Sequence, residues 1–232
     1  KKSNSFASLL LCEVKNPSQF GVAEVKNNKI IKITEKPKIP ASNLAVTGIY
    51  LLTPYIFEVI KKLKPSWRDE LEIADALQIL IEEGKEINYG MITDFWKDTG
   101  TPNDIIEANK FLLEKMQESF KGKKEESTIL EGKVMIGKGT IIKGGVKIVG
   151  PTIIGQNCII EKNSIIGQNT SIGDNSHITE STISNSIIMS NCIVKGKINI
   201  INSIIASNSK IIQNQENREK SFLLGEGTQI SI

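Results

Sequence analysis

The 232 residues carry 29 Lys and Arg against 26 Asp and Glu, a formal net charge of +3, with the two signs interleaved. Nucleic-acid binding therefore has no positive support, since such binders mass their basic residues on one face. The chain is long enough for two domains, has no apolar run near the ~20 residues of a membrane-spanning helix and no signal-peptide pattern, and its three scattered cysteines (Cys12, Cys158, Cys192) fit a reduced, cytoplasmic compartment.

The chain opens at Lys1-Lys2, without Met, in what reads as the run-up to a strand, so an upstream segment is expected. Ala7 to Val14, Gly21 to Val25, Lys29 to Thr34 and Ala45 to Leu52 are short apolar or alternating runs separated by Asn, Pro and Gly, and read as strands. From Pro54 to Lys64 and from Glu70 to Glu83 the apolar spacing turns helical, with Ile56, Val59, Ile60 and Leu63 on one face and Leu71, Ala74, Leu77 and Leu80 on another. Thr101-Pro102 opens a third helix that runs through Met116, with Thr101 as N-cap and Pro102 at its first position. These elements predict a mixed α/β domain over 1–120, and the charged stretch at 121–127 reads as a linker.

From residue 136 an isoleucine falls at every sixth position: Ile136, Ile142, Ile148, Ile154, Ile160, Ile166, Ile172 and Ile178. Four residues beyond each of the first seven stands Thr140, Val146, Thr152, Cys158, Ser164, Thr170 or Ser176. A period of six belongs neither to a helix nor to a plain strand, so extended chain must turn a corner once per repeat, and three corners close a triangular coil. This predicts a left-handed parallel β-helix over 128–232, continuing with looser spacing through Ile183, Ile188, Val194, Ile200, Ile205 and Ile211. Gly137, Gly155, Gly167 and Gly173 are expected to supply unusual backbone angles at the turns. In the pairs Ile141-Ile142, Ile153-Ile154, Ile159-Ile160 and Ile165-Ile166 one residue should point in and one out, leaving apolar faces suited to a homo-oligomer.

Five motifs in series carry a resemblance: Phe20-Gly21-Val22, Glu35-Lys36-Pro37, Val46-Thr47-Gly48-Ile49-Tyr50, Arg68-Asp69-Glu70-Leu71-Glu72-Ile73 and Trp96-Lys97-Asp98-Thr99-Gly100-Thr101. In order and approximate spacing they resemble sugar-1-phosphate nucleotidylyltransferases. The β-helix that follows, with Asn185 to Met189, Asn202 to Ile205 and the closing stretch Arg218 to Thr228, is similar to the long-form glucose-1-phosphate thymidylyltransferases.

The resemblance implies a Rossmann-like mixed sheet and transfer of a nucleotidyl group from a nucleoside triphosphate, dTTP favoured, to glucose 1-phosphate. By resemblance Glu35 holds the hexose, Lys36 and Arg68 act on its phosphate, Gly21 and Val46 lie against the sugar, and Asp98 is a ligand of Mg²⁺. Phe20 belongs to the same sugar site but stands where many relatives have Tyr, which removes a hydroxyl. No glycine-rich phosphate loop occurs near the N-terminus, so these residues by themselves are expected to be catalytically incompetent. Two alternatives stand beside this reading: an acyltransferase of the hexapeptide β-helix class using His177, the sole histidine, as base, and a non-catalytic regulatory subunit of a nucleotidyltransferase complex, using both domains for assembly.

Overall fold

A computed structural model describes residues 5–213 together with 219–220, 223–226 and 229–231. The chain forms two compact units, one up to Asp98 and one from Thr99 onward. Among the described residues no helix is long and apolar enough to cross a membrane, and Cys12, Cys158 and Cys192 are free and buried.

The first unit is a five-stranded mixed sheet. Its strands are β1 (Ala7–Glu13), β2 (Gly21–Lys26), β3 (Lys29–Glu35), β4 (Leu44–Leu52) and β5 (Ile87–Ile92), in the order β3-β2-β4-β1-β5. The first four pair antiparallel, and β5 closes the edge parallel to β1. The strand reading of the sequence does not include β5, although Ile87, Tyr89 and Met91 alternate with Asn88 and Gly90 as a half-buried strand requires. The β2–β3 turn is made by Asn27 and Asn28 with φ of 51° and 60°, the left-handed region that Asn tolerates better than most residues.

Two helices cover the sheet. Helix α1 (Ile56–Ile60) is shorter than its apolar pattern implied, since the flanking turns close with tighter i→i−3 bonds such as Ile56 N to the Thr53 carbonyl and Leu63 N to the Ile60 carbonyl. Helix α2 (Ile73–Glu82) buries Ala74, Ala76, Leu77 and Leu80. Leu71, expected on that face, is instead 58% exposed, because the chain from Ser66 to Glu72 is a turn rather than the first turn of the helix. The exposed edge of β3 is anchored to α2 where Ile33 N donates to Gln78 Oε1 at 2.9 Å. Leu9, Leu11, Ala23, Ile33, Val46, Val59, Leu77 and Leu80 form this unit's core.

The second unit is a parallel β-solenoid of the left-handed β-helix type, with sheets of seven, six and seven short strands among the described residues. All eight expected isoleucines are at most 2% exposed, and so are Ile183, Ile188, Val194, Ile200, Ile205 and Ile211. In register, Ile142, Ile160, Ile178, Val194 and Ile211 stack up one sheet, as Ile136, Ile154, Ile172, Ile188 and Ile205 do up another. The residues beside the ladder point outward as expected, with Ile141 and Ile165 at 37% and 43% exposure.

The corners differ from expectation. Gly137, Gly155, Gly167 and Gly173 do not carry positive φ. They are glycine because a Cβ there would strike the next coil, at Gly173 lying 2.6 Å from Ser190 N and at Gly167 2.8 Å from Ser184 Cβ. The left-handed corner residues are mostly asparagines: Asn157, Asn163, Asn169, Asn175, Asn191 and Asn208 have φ between 53° and 62°. Several stack, with Asn175 Nδ2 donating to Asn191 Oδ1 and Asn191 Nδ2 to Asn208 Oδ1, both at 3.2 Å.

The domain boundary is also corrected. Ser119–Phe120 and Lys123–Lys124 pair as strands of the solenoid, so the stretch read as a linker at 121–127 is its first coil. The third helix, α3 (Pro102–Lys115), belongs to this unit too: Asn109 Nδ2 donates to the Asn169 carbonyl at 3.1 Å and Ser171 Oγ donates to Asn109 Oδ1. Its start is as expected, with Thr101 and Asp104 forming a capping box and Pro102 in the first turn. Of the closing stretch Arg218 to Thr228, residues 218, 221–222 and 227–228 lie outside the described residues, as do Lys1 and Lys2.

Candidate functional site

The β2–β3 hairpin creates the candidate site. Gly21 opens β2 directly opposite Glu35, the last residue of β3. A Cβ on Gly21 would lie 3.0 Å from Glu35 Oε2, 3.7 Å from Val46 Cβ and 3.8 Å from Ala74 Cβ, so the bare backbone, the carboxylate and the valine meet at one spot. Val46 reaches it from β4, where a bulge with Gly48 at φ 79° interrupts the pairing with β1 and Thr47 Oγ1 donates to the Leu10 carbonyl at 2.9 Å.

Lys36 follows with φ 38°, an unusual conformation for a non-glycine residue and more so for one that precedes a proline. Its N–H donates to the Phe20 carbonyl at 3.0 Å, which ties the end of β3 to the start of β2. This left-handed step breaks strand alternation and keeps the Lys36 charge close enough to act on Glu35. The Phe20 ring, lacking the hydroxyl, packs edge-on against Trp96 with centroids 5.4 Å apart. That contact brings the Trp96-Lys97-Asp98 segment toward the mouth of the same hairpin.

Arg68 does not stand open. Its Nη1 lies 3.3 Å from Glu72 Oε1 and 3.7 Å from Glu35 Oε1, and its Nη2 lies 2.8 Å from Glu70 Oε2. The turn that carries it is held by Arg68 N donating to Ser66 Oγ at 3.1 Å and Ser66 N donating to the Glu70 carbonyl at 2.8 Å, with Asp69 at φ 60°. Glu72, 8% exposed, also accepts from Ser66 Oγ at 3.0 Å. Burial pushes the Glu35 carboxyl above its ordinary value and Glu72 adds repulsion, against which Lys36 and Arg68 pull it back. Burial likewise raises Asp75, again with help from Glu72, and raises the Tyr50 hydroxyl with help from Glu35.

Comparison with known proteins decides the family. Residues 1–115 match the family model described as Nucleotidyl transferase, and residues 148–231 match the GMPPB C-terminal domain. Residues 1–115 thus form a nucleotidyl transferase domain. A glucose-1-phosphate thymidylyltransferase from Streptomyces antibioticus is 41% identical over 150 residues, covering 64% of this chain and 42% of that protein. A low-salt glycan biosynthesis nucleotidyltransferase from Haloferax volcanii is 42% identical over 129 residues, covering 55% and 36%, and a bifunctional protein GlmU from Methanocaldococcus jannaschii is 46% identical over 130 residues, covering 56% and 32%. The chain thus spans less than half the length of these curated relatives.

Phe20, Gly21, Glu35, Lys36, Val46 and Arg68 are brought together around one hairpin end. Asp98 is exposed at the end of the first unit, and among the described residues no group of three or more His, Cys, Asp or Glu could hold a metal ion. The family match runs to residue 115 and so includes α3, although that helix packs with the solenoid. Ser66, Glu70 and Glu72 were not singled out as site residues from the sequence. The i,i+4 spacing of Arg68 and Glu72 was the available signal, but it reads equally as a surface helix pair.

His177, the base of the acyltransferase alternative, lies on an outer face of the solenoid with Nε2 3.3 Å from Glu161 Oε1, a charge contact when protonated rather than an aligned hydrogen bond. It lines a shallow depression with Thr179, Ile193, Lys195 and Lys210.

Proposed function

We propose that the first unit is the sugar 1-phosphate site of an enzyme transferring a nucleotidyl group to that phosphate, with glucose 1-phosphate and dTTP the favoured pair. The observation that carries this reading is the convergence of Gly21, Glu35 and Val46 beside Lys36 and Arg68. A carboxylate accepts hydrogen bonds from sugar hydroxyls, a missing side chain lets a pyranose ring lie close to backbone, and two cations suit a phosphate dianion.

In the reaction a phosphate oxygen of the sugar 1-phosphate attacks the α-phosphorus of the triphosphate, forming one P–O bond and breaking another, and pyrophosphate leaves. Lys36 and Arg68 neutralise and orient the attacking phosphate, while Glu35 fixes the hexose, so the contribution of these residues is positioning and electrostatics. Mg²⁺ would lower the charge between the phosphates, and Asp98 offers it one carboxylate oxygen, in keeping with the one or two that such ions take from protein.

Calorimetric titration with glucose 1-phosphate tests the site, and Lys36→Ala and Glu35→Ala are each expected to weaken binding about tenfold or more, as loss of a charged hydrogen bond implies. Equal binding by wild type and both variants would sink the assignment. Pyrophosphate release with each nucleoside triphosphate in turn, by a protein spanning the full length of the relatives, then reads out the base preference. Release favoured by UTP, ATP or GTP would replace dTTP.

A further inference from the structure

Three carboxylates surround the one guanidinium of the site, and they are not equivalent. Glu72 is nearly closed to solvent, its side chain 10% accessible, and its Oε1 serves both Ser66 Oγ at 3.0 Å and Arg68 Nη1 at 3.3 Å. Moving it would orphan a buried charge and release the turn that carries Arg68. Glu70 has a side chain 57% accessible and its carboxylate meets Arg68 Nη2 at 2.8 Å, while its backbone is held independently through the Ser66 N–H. An exposed carboxylate of this kind exchanges its partner for water at little cost.

We propose that Glu72 is a positioning residue that aims Arg68 and that Glu70 is a built-in anion, occupying the outer edge of the guanidinium until the phosphate of the sugar 1-phosphate displaces it. This rests on the sugar 1-phosphate reading of the site. The phosphate needs the edge of Arg68 that Glu70 now holds, and a dianion with three acceptor oxygens outcompetes an exposed carboxylate for a planar guanidinium fork. While Glu70 stays in place, monoanionic ligands have little to gain from Arg68. The contact therefore also selects for doubly charged phosphate.

The test is titration of the chain with glucose 1-phosphate and with inorganic phosphate by calorimetry, alongside NMR of the Arg68 guanidinium, in wild type, Glu70→Gln and Glu72→Gln. Glu70→Gln is expected to tighten binding of both ligands about 2–5-fold, the competition of an exposed ion pair. Glu72→Gln is expected to weaken both by about tenfold and to let the guanidinium rotate, averaging its Nη signals in the empty protein. Unchanged or weaker binding by Glu70→Gln overturns the displacement, and Glu72→Gln with wild-type affinity and wild-type guanidinium signals overturns the positioning role. Should Glu72→Gln fail to fold, Ser66→Ala removes the same anchor from the other side and must shift both readouts in the same direction. Wild type that binds neither ligand overturns the sugar 1-phosphate reading and Glu70's part with it, whereas the guanidinium spectra of the empty protein still decide for or against Glu72.

Discussion

Glu35 sits half-buried at the hairpin end, where burial first and Glu72 second raise its carboxyl above the ordinary value. A carboxyl with a raised folded-state pKa holds more protons folded than unfolded between its two pKa values, so its stabilising contribution is present below the unfolded pKa and is lost as pH rises through the folded one. Glu35→Gln is accordingly expected to melt higher than wild type at neutral pH, the difference closing toward about pH 4, while glucose 1-phosphate binding falls. Melting curves over pH 4–8 check the first half; a variant that melts lower than wild type at pH 7 would contradict it. At Gly21 the added methyl of Gly21→Ala lands 3.0 Å from Glu35 Oε2, so Glu35 must move. Binding should weaken about tenfold, on the scale of one charged hydrogen bond, with the melting temperature little changed. Gly21, Glu35 and Val46 were legible in the sequence through their motifs, but that Arg68 is shared by Glu35, Glu70 and Glu72 was not, because it depends on the turn from Ser66 to Glu72 folding back on β3.

The helix α3 and the solenoid coils show what local sequence fixes at the next scale. Thr101, Pro102 and Asp104 make a start signal that needs no tertiary help, and Thr101→Ala should cost about 1 kcal/mol in the unfolding of the second unit. The coil glycines are a different matter. A Cβ at Gly173 meets the backbone of the next coil at 2.6 Å, whereas at Gly225 nothing among the described residues lies within 4 Å. Denaturant titration should find Gly173→Ala destabilising by about 1–3 kcal/mol and Gly225→Ala within about 0.5 kcal/mol of wild type. Equal effects would mean that coil spacing is not what demands glycine. The asparagines of the corners stand at regular spacing just ahead of the small residues, as in Asn157-Cys158, Asn163-Ser164 and Asn175-Ser176, and their tolerance of positive φ is the local signal for those corners.

Each of the two units has its own apolar core, the first built on Leu9, Leu11, Leu77 and Leu80 and the second on the isoleucine ladders. Ile160→Lys places an unpaired charge inside the second, and should abolish the solenoid's thermal transition while the first unit's transition persists in calorimetry. Loss of both transitions would show that the units fold as one. The outward Ile141 and Ile165 support the proposal of a homo-oligomer through solenoid faces, and sedimentation as a monomer at micromolar concentration would count against it. By itself the sequence determined the solenoid, since a six-residue period leaves an extended chain one way to bury its isoleucines, and its local motifs singled out Gly21, Glu35, Val46 and Arg68, which the fold brings together. Tertiary structure alone decided where the coil begins, which unit α3 joins and how Arg68 is held. Those outcomes depend on pairing between residues distant along the chain, such as Ser119 with Met135, Asn109 with Ser171 and Arg68 with Glu35, and no local pattern encodes which of several possible partners will be met.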